Sequence, residues 1–181
     1  MENEENVDYK ELAKVLDIPL FTGFEKVEAE DKHTVFMTSN NHGIMYQVIC
    51  DGKMNEKETI SVRINMFIEK TLRFMKSQGF ETDENTFMHY KDYEDYDFGF
   101  KCYFQDIIMS QVGKVIRSIN AFFIEPRNKN FYQVVMSVGP YKYPTSSLKV
   151  GEIDLENDAI TKNIMILFEE LLANIKYTDE E

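Results

Sequence analysis

The side chains best placed to do chemistry in this chain lie in one short run, His89–Asp97. Three tyrosines recur there at every third position among four acids, and the set is Tyr90, Asp92, Tyr93, Glu94, Asp95, Tyr96 and Asp97. The acids could hold Ca²⁺, but the run has no glycine for the turn and its order does not match an EF-hand loop. Tyrosine rings offer large contact area with a polar tip, and acids steer encounters with a basic partner. The run therefore indicates a partner-binding surface, with a solvated loop or edge strand as the plainer interpretation.

A second tyrosine pair, Tyr141 and Tyr143, flanks Lys142 and precedes the turn-forming string Pro144–Ser147. We expect this loop to join an inner strand to the last helix. It either rims a groove or serves as a long connection with packed rings. Both tyrosines belong to the predicted partner-binding set.

Motifs for catalysis and metal binding are absent from the sequence, which has no Gly-rich phosphate loop, H-E-x-x-H, C-x-x-C or G-x-S-x-G. The histidines His33, His42 and His89 are scattered. Cys50 and Cys102 each lie in an apolar strand-like run, which predicts buried free thiols. We therefore expect no catalytic residue, no cofactor and no metal site, although sequence distance does not show whether a histidine approaches a cysteine in the fold.

The chain is strongly acidic, with 20 Lys plus Arg against 32 Asp plus Glu and a formal charge of −12. Such a charge repels nucleic-acid phosphates and anionic leaflets, so we expect no nucleic-acid binding. It favours a basic partner, or it serves solubility alone. No apolar run is long enough for a transmembrane segment, and no signal peptide pattern follows Met1. The predicted location is cytoplasmic; the alternative is an extracytoplasmic lipoprotein that has lost its signal peptide, with Glu2–Asn6 as its spacer.

Local signals place the first elements. Asp8 is predicted to cap a short helix that ends near Ile18, because the residue before Pro19 is pushed out of the helical region. Two β-rich runs at 33–38 and 43–50 are separated by a turn-forming string, which predicts a hairpin.

The segment 55–79 is ambiguous, because its apolar residues fit both an alternating strand and one face of a helix. Asn55 and Glu58 resemble a capping box, and Gly79 suits the position just after a helix. We predict a helix.

Further strands are predicted at 86–91, 98–105, 115–125 and 131–138, followed by a final helix at about 155–176 with a wide apolar stripe. Short loops connect the later strands. The economical fold is therefore α+β, an antiparallel β-sheet meander covered by two long helices in an α-β-α sandwich.

The length of 181 residues fits one core. We expect a single domain at 7–177, with flexible acidic tails at 1–6 and 178–181.

This order of elements resembles that of the PsbP-like fold group. The resemblance covers about residues 30–177, and it rests on the His33–Cys50 hairpin, the helix ending at Gly79, the strands through Gly99 and Asn128–Val138, and the closing helix. The group includes photosystem extrinsic subunits, a Ran-binding nuclear-import regulator and bacterial chaperones of type VI secretion effectors. The resemblance implies an α-β-α sandwich and a binding role without chemistry.

Two functions from different classes follow from the sequence. The first is a non-enzymatic protein-binding or adaptor module, chaperone-like, whose acidic and tyrosine-bearing surface meets a basic or apolar segment of another protein. The second is a small-molecule or lipid carrier with an apolar pocket between the sheet and a helix, for which 10 Met and 14 Phe supply the lining. The sequence does not predict an oligomeric state.

Overall fold

The computed structural model describes residues 6–55, 57–82, 91–93, 102–111, 114–142 and 159–179. The α-helices in these ranges are α1 (Tyr9–Leu12), α2 (Ile60–Ser77) and α3 (Ala159–Asn174), and a 3-10 turn at Ala13–Val15 follows α1. The strands are β1 (Leu16–Asp17), β2 (Glu25–Lys26), β3 (Thr34–Ser39), β4 (Ile44–Lys53), β5 (Glu81–Thr82), β6 (Lys91–Tyr93), β7 (Cys102–Gln111), β8 (Lys114–Ile124), β9 (Asn130–Lys142) and β10 (Lys176–Tyr177). The strand predicted at 86–91 lies outside the described residues except for Lys91, which belongs to β6.

The main sheet is antiparallel and has eight strands in the order β2-β3-β4-β9-β8-β7-β5, with β6 also pairing with β7. The strands β1 and β10 form a separate two-stranded sheet. The predicted β3-β4 hairpin is confirmed. The strands β7, β8 and β9 run as the predicted meander, and β4 joins it beside β9. The α+β class with an antiparallel sheet is therefore confirmed.

Both faces of the sheet are covered, because neighbouring residues of a strand point to opposite sides. Phe123 belongs to the core that includes Phe168 of α3. The next residue back, Phe122, belongs to the core that includes Ile64 and Ile68 of α2. The strand predicted at 131–138 lies within β9, whose residues on the α3 side are buried: Tyr132, Val134, Met136 and Val138.

The prediction of two long helices is not borne out, because α2, with 18 residues, is the one long helix in the described part of the chain. The C-terminal helix α3 has 16 described residues and ends at Asn174. It ends there because the backbone N–H of Ile175 donates to the Leu172 carbonyl at 3.4 Å in a tighter turn, and the chain then extends as β10. The predicted helix start at 155–158 lies outside the described residues.

The start of α2 also differs from the prediction. Thr59 is the N-cap, and its hydroxyl accepts from the Val62 N–H at 3.4 Å. Asn55 forms a separate turn before the helix, in which its side-chain oxygen accepts from the Lys57 N–H at 3.2 Å. At the other end the prediction holds, because Gly79 has φ +84° just after the helix and its N–H donates to the Lys76 carbonyl at 3.0 Å.

The N-terminal helix is capped as predicted, with the Asp8 carboxylate accepting from the Glu11 N–H at 3.2 Å. The predicted end near Ile18 is wrong. The helical segment stops at Val15, because Leu16 and Asp17 pair with β10. The two ends of the described chain are therefore held together by backbone hydrogen bonds.

Glu125 is a fully buried carboxylate at the turn between β8 and β9. Its oxygens accept from the backbone N–H groups of Arg127 at 2.6 Å and Asn128 at 2.8 Å, and from the hydroxyl of Tyr177 at 2.7 Å. The Arg127 guanidinium lies 3.5 Å from the centre of the Tyr177 ring and bonds Asp179 at 2.6 Å. One carboxylate thus joins the β8-β9 turn to the C-terminal strand.

The strand β4 extends beyond the predicted run of 43–50, through Asp51 and Gly52 to Lys53. The register against β9 shifts between Cys50 and Lys53, and Gly52 absorbs this irregularity with φ +81°. A side chain at that φ is disfavoured, and a Cβ added there would lie 3.2 Å from Cε1 of Tyr9.

We expect Gly52→Ala to lower the free energy of unfolding by about 1–2 kcal/mol from backbone strain, plus a further loss from the Tyr9 contact. Gly23→Ala is the matched control, because Gly23 has φ +87° and nothing lies within 4 Å of an added Cβ. Urea unfolding of both variants measures the difference. Equal losses in the free energy of unfolding for the two variants would show that the Tyr9 side chain moves away from the added Cβ without a measurable destabilisation.

Candidate functional site

Most of the predicted partner-binding residues lie outside the described part of the chain, and these are Tyr90, Glu94, Asp95, Tyr96, Asp97 and Tyr143. Asp92 and Tyr93 lie in β6, opposite Tyr103 and Cys102 of β7. Tyr141 lies near the end of β9, opposite Val115 of β8. The acidic tyrosine surface therefore stays a prediction.

The register places Tyr93 and Tyr141 at opposite ends of the sheet. Tyr93 is in the row formed by Cys102, Phe123 and Tyr132 on successive strands. Tyr141 lies nine residues (132 to 141) further along β9. At about 3.3 Å per residue this is about 30 Å along the strand.

A row of exposed apolar side chains lies on α2, on the side away from the sheet. Val62, Met66 and Phe74 are 51%, 59% and 58% exposed. Lys70 and Arg73 lie between them and are also exposed. Residues three or four apart share a helix face, so these five side chains form one strip, which we call the outer strip.

The outer strip differs in charge from the rest of the protein. The helix α2 contains four basic residues (Arg63, Lys70, Arg73 and Lys76) and one acid (Glu69), a net charge of +3. Since the whole chain carries −12, the remainder carries −15. Arg73 Nε donates to the backbone carbonyl of Glu69 at 3.4 Å. Of the four basic residues, Lys70 and Arg73 lie in the outer strip, whereas Arg63 is paired with Glu58 and Asp51. The strip therefore carries two positive charges beside its apolar side chains, on a protein whose net charge is −12.

Arg63 anchors the N-terminal end of α2. It donates to both carboxylate oxygens of Glu58, from Nε and Nη2 at 2.7 Å each, and Nη1 donates to Asp51 of β4. The hydrogen bonds to Arg63 hold the pKa of Glu58 below its usual value. His33 Nδ1 lies 3.7 Å from the Asp51 carboxylate. This network fixes the side of α2 that faces the sheet, and so sets which side is exposed.

The Glu58–Arg63 pair makes stability depend on pH. A carboxyl whose pKa is lower in the folded state contributes fully above its unfolded pKa, about 4.3, and the contribution is lost as pH falls through the folded pKa. We expect Glu58→Gln to lower the free energy of unfolding by about 1–2 kcal/mol at pH 7. The gap to wild type should close as pH falls below about 4.3.

Urea unfolding of wild type and Glu58→Gln from pH 7 to pH 3 measures this gap. Glu69→Gln, on the exposed side of the same helix, controls for the loss of one negative charge. A gap for Glu58→Gln that stays constant into acid would contradict the role of the pair.

The two cysteines are buried and free, as predicted. Burial raises the pKa of Cys50, and it raises the pKa of Cys102 to about 12. Thiolates are the reactive form, so both thiols are held in the unreactive state near neutral pH. His33 does approach Cys50, but Nδ1 lies 3.1 Å from the backbone carbonyl oxygen of Cys50.

The described residues contain no group of three or more His, Cys, Asp or Glu side chains arranged to hold a metal ion. Among the helices of the described ranges, none is long and apolar enough to cross a membrane.

Comparisons with known proteins give distant structural likeness only. No family model matches the chain, and no curated protein is similar to it. LpqN of Mycobacterium tuberculosis, involved in cell envelope biogenesis, matches with 10% identity and a TM-score of 0.48, over 89% of this chain and 82% of LpqN. PA94 of Pseudomonas aeruginosa, a protein of unknown function, matches with 10% identity and a TM-score of 0.39, over 83% of this chain and 78% of PA94. Because both TM-scores are below 0.5, neither protein assigns a family or a function, and membership of the PsbP-like group stays a prediction.

Proposed function

We propose that this protein is a non-enzymatic binding module that docks a segment of another protein on the outer strip of α2. The observation that carries the proposal is the exposure of Val62, Met66 and Phe74, each more than half accessible, in one row on a helix whose opposite side is buried. Single exposed apolar residues are ordinary, but several on one helix face, here with Lys70 between Met66 and Phe74, are typical of an interaction surface.

The energetics favour a partner for this row. Full burial of a Met or Phe side chain contributes about 1.5–3 kcal/mol. Aromatic residues and Met are enriched at protein interfaces. An amphipathic helix lying along α2 would cover Val62, Met66 and Phe74 together, because their spacing of four and eight residues keeps them on one face of α2.

Charge selects the kind of segment. Lys70 and Arg73 lie within the strip, so an apolar segment flanked by Asp or Glu complements it. This changes the partner expected from the sequence, which was a basic or apolar segment meeting the acidic tyrosine run. An anionic membrane is a weaker candidate, since the remainder of the chain carries −15 and is repelled by it.

The experiment compares proteins retained from the native host by the wild type, by Met66→Glu with Phe74→Glu, and by Ile166→Glu. Ile166 of α3 is 58% exposed, nearly equal to Met66, and is followed three and four residues later by Glu169 and Glu170. The Ile166→Glu variant is therefore a matched control for adding Glu at an exposed apolar helix position.

We expect one set of proteins to be retained by the wild type and by Ile166→Glu and to be lost from the double variant. Its retention should weaken as salt rises. Equal retention by all three proteins would contradict docking on the outer strip.

A further inference from the structure

Two buried amide groups face each other across β7 and β8. Gln105 and Asn120 are directly opposite in the register, and each is 3% exposed. Their side-chain nitrogens, Nε2 of Gln105 and Nδ2 of Asn120, are buried and find no hydrogen-bond partner among the described residues. Directly opposed residues have Cβ atoms about 4.5–5.5 Å apart, so the two amide side chains are neighbours on one face of the sheet.

A third amide fixes the direction of one donor. Gln133 of β9 donates from Nε2 to Oδ1 of Asn120 at 2.9 Å. This bond occupies the Asn120 oxygen and leaves the Nδ2 group as the unpaired side. Two other buried side chains in the described ranges, Thr38 and Asn130, also have an unpaired polar atom, but they are not opposite each other.

The donors lie on the face of the sheet that α2 covers. Along their strands the next residues on that face are Ile107 after Gln105 and Phe122 after Asn120, and both pack in the core with Ile64 of α2. Among the described residues of the sheet, Asp92, which is opposite Tyr103 in the register, is charged and on this face. The other residues around the pair are neutral, and these are Tyr103, Ile107, Ser118, Phe122, Ile124, Phe131, Gln133, Val135 and Ser137.

Unpaired buried donors are unusual in native proteins, because each loses its hydration without replacement. An acceptor that enters between the sheet and α2 would satisfy both. Arg63 of α2 lies over Phe131 on this face, but it is already paired with Glu58 and Asp51. A carboxylate would therefore have to leave water without a free cation, which is strongly disfavoured. A neutral carbonyl oxygen has two lone pairs and accepts from both donors without that penalty.

We propose that the Gln105–Asn120 pair is a binding site for an uncharged small molecule, which it holds through a carbonyl or amide oxygen beside the apolar core under α2. The site is independent of the outer strip, which lies on the opposite side of α2. It gives the carrier function a specific polar contact.

The test uses N-methylacetamide as the neutral probe and acetate as the anionic one, titrated into the full chain labelled with ¹⁵N. The side-chain N–H₂ signals of Gln105 and Asn120 are identified from their loss in Gln105→Met and Asn120→Leu. We expect N-methylacetamide to shift both signals saturably, and acetate to leave them unchanged.

Two variants separate binding from structure. Gln105→Met keeps the length of the side chain but removes the donor, so it should abolish the probe-induced shift of Asn120. It should also raise the unfolding temperature by about 2–4 °C, since it removes an unpaired buried donor. Gln47→Met, the same change on the same face of β4, should keep the probe response.

Three results would overturn the proposal. The first is the absence of a saturable response to N-methylacetamide. The second is an ordered water bound to both donors that the probe does not displace. The third is an equal response to acetate, which would exclude a site selective for neutral acceptors.

Discussion

Glu125→Ala is expected to lower the free energy of unfolding by about 3–4 kcal/mol, because it leaves three donors without their acceptor, two of them at the β8-β9 turn. The third donor is the buried hydroxyl of Tyr177, which lies 2.7 Å from the Glu125 carboxylate in the wild type. The loss should appear as a lower urea midpoint, with the slope of the transition unchanged.

Two further variants divide this loss. Tyr177→Phe removes one donor and keeps the ring under Arg127, so it should cost about 1 kcal/mol. Glu125→Gln keeps the shape of the side chain but turns an amide N–H₂ toward at least one N–H or O–H donor. Its loss in the free energy of unfolding should therefore lie between those of Glu125→Ala and Tyr177→Phe. A loss for Glu125→Ala no larger than that for Tyr177→Phe would contradict the role of Glu125 as the link between the turn and β10.

The second large effect concerns binding. Met66→Glu with Phe74→Glu is expected to weaken binding of the partner segment by about 2 kcal/mol or more, a loss of roughly 30-fold or more in Kd. Both side chains are more than half exposed, so the free energy of unfolding should change by less than about 0.5 kcal/mol. Titration calorimetry with the segment recovered from the host proteins measures Kd, and urea unfolding measures stability.

The electrostatic part of the same interface is tested by charge reversal. Arg73→Glu should weaken binding and reduce its dependence on salt. An Asp→Lys or Glu→Lys change in the partner segment should restore part of the affinity, and a double-mutant cycle gives the coupling. Ile166→Glu should leave Kd unchanged. If it weakens binding as much as the α2 variants do, the added negative charge acts at a distance and the outer strip is not the contact.

The sequence predicted correctly those helix ends that are determined by residues within one turn of the helix. Asp8 caps α1 and Gly79 ends α2 because a capping carboxylate and a left-handed backbone are decided within four residues. The start of α2 was predicted wrongly because Asn55 and Thr59 are both good caps, and the Arg63 bonds to Glu58 and Asp51 are absent from any local pattern.

Non-local contacts could not be predicted. The sequence places two apolar rows on α2, one through Ile64 and Ile68 and one through Val62, Met66 and Phe74. Only the packing of α2 on the sheet decides which row is buried, so the outer strip was not recognised. The pairing of Gln105 with Asn120 depends in the same way on register.

The most direct test of the central claim is photo-crosslinking in the native host with a crosslinking amino acid at Met66, compared with the same residue at Ile166 and at Tyr93. We predict an adduct from position 66, mapped by mass spectrometry to a segment with apolar residues beside Asp or Glu, and its loss when Arg73→Glu is added. An adduct from position 93 or 166 with none from position 66 would contradict docking on the outer strip.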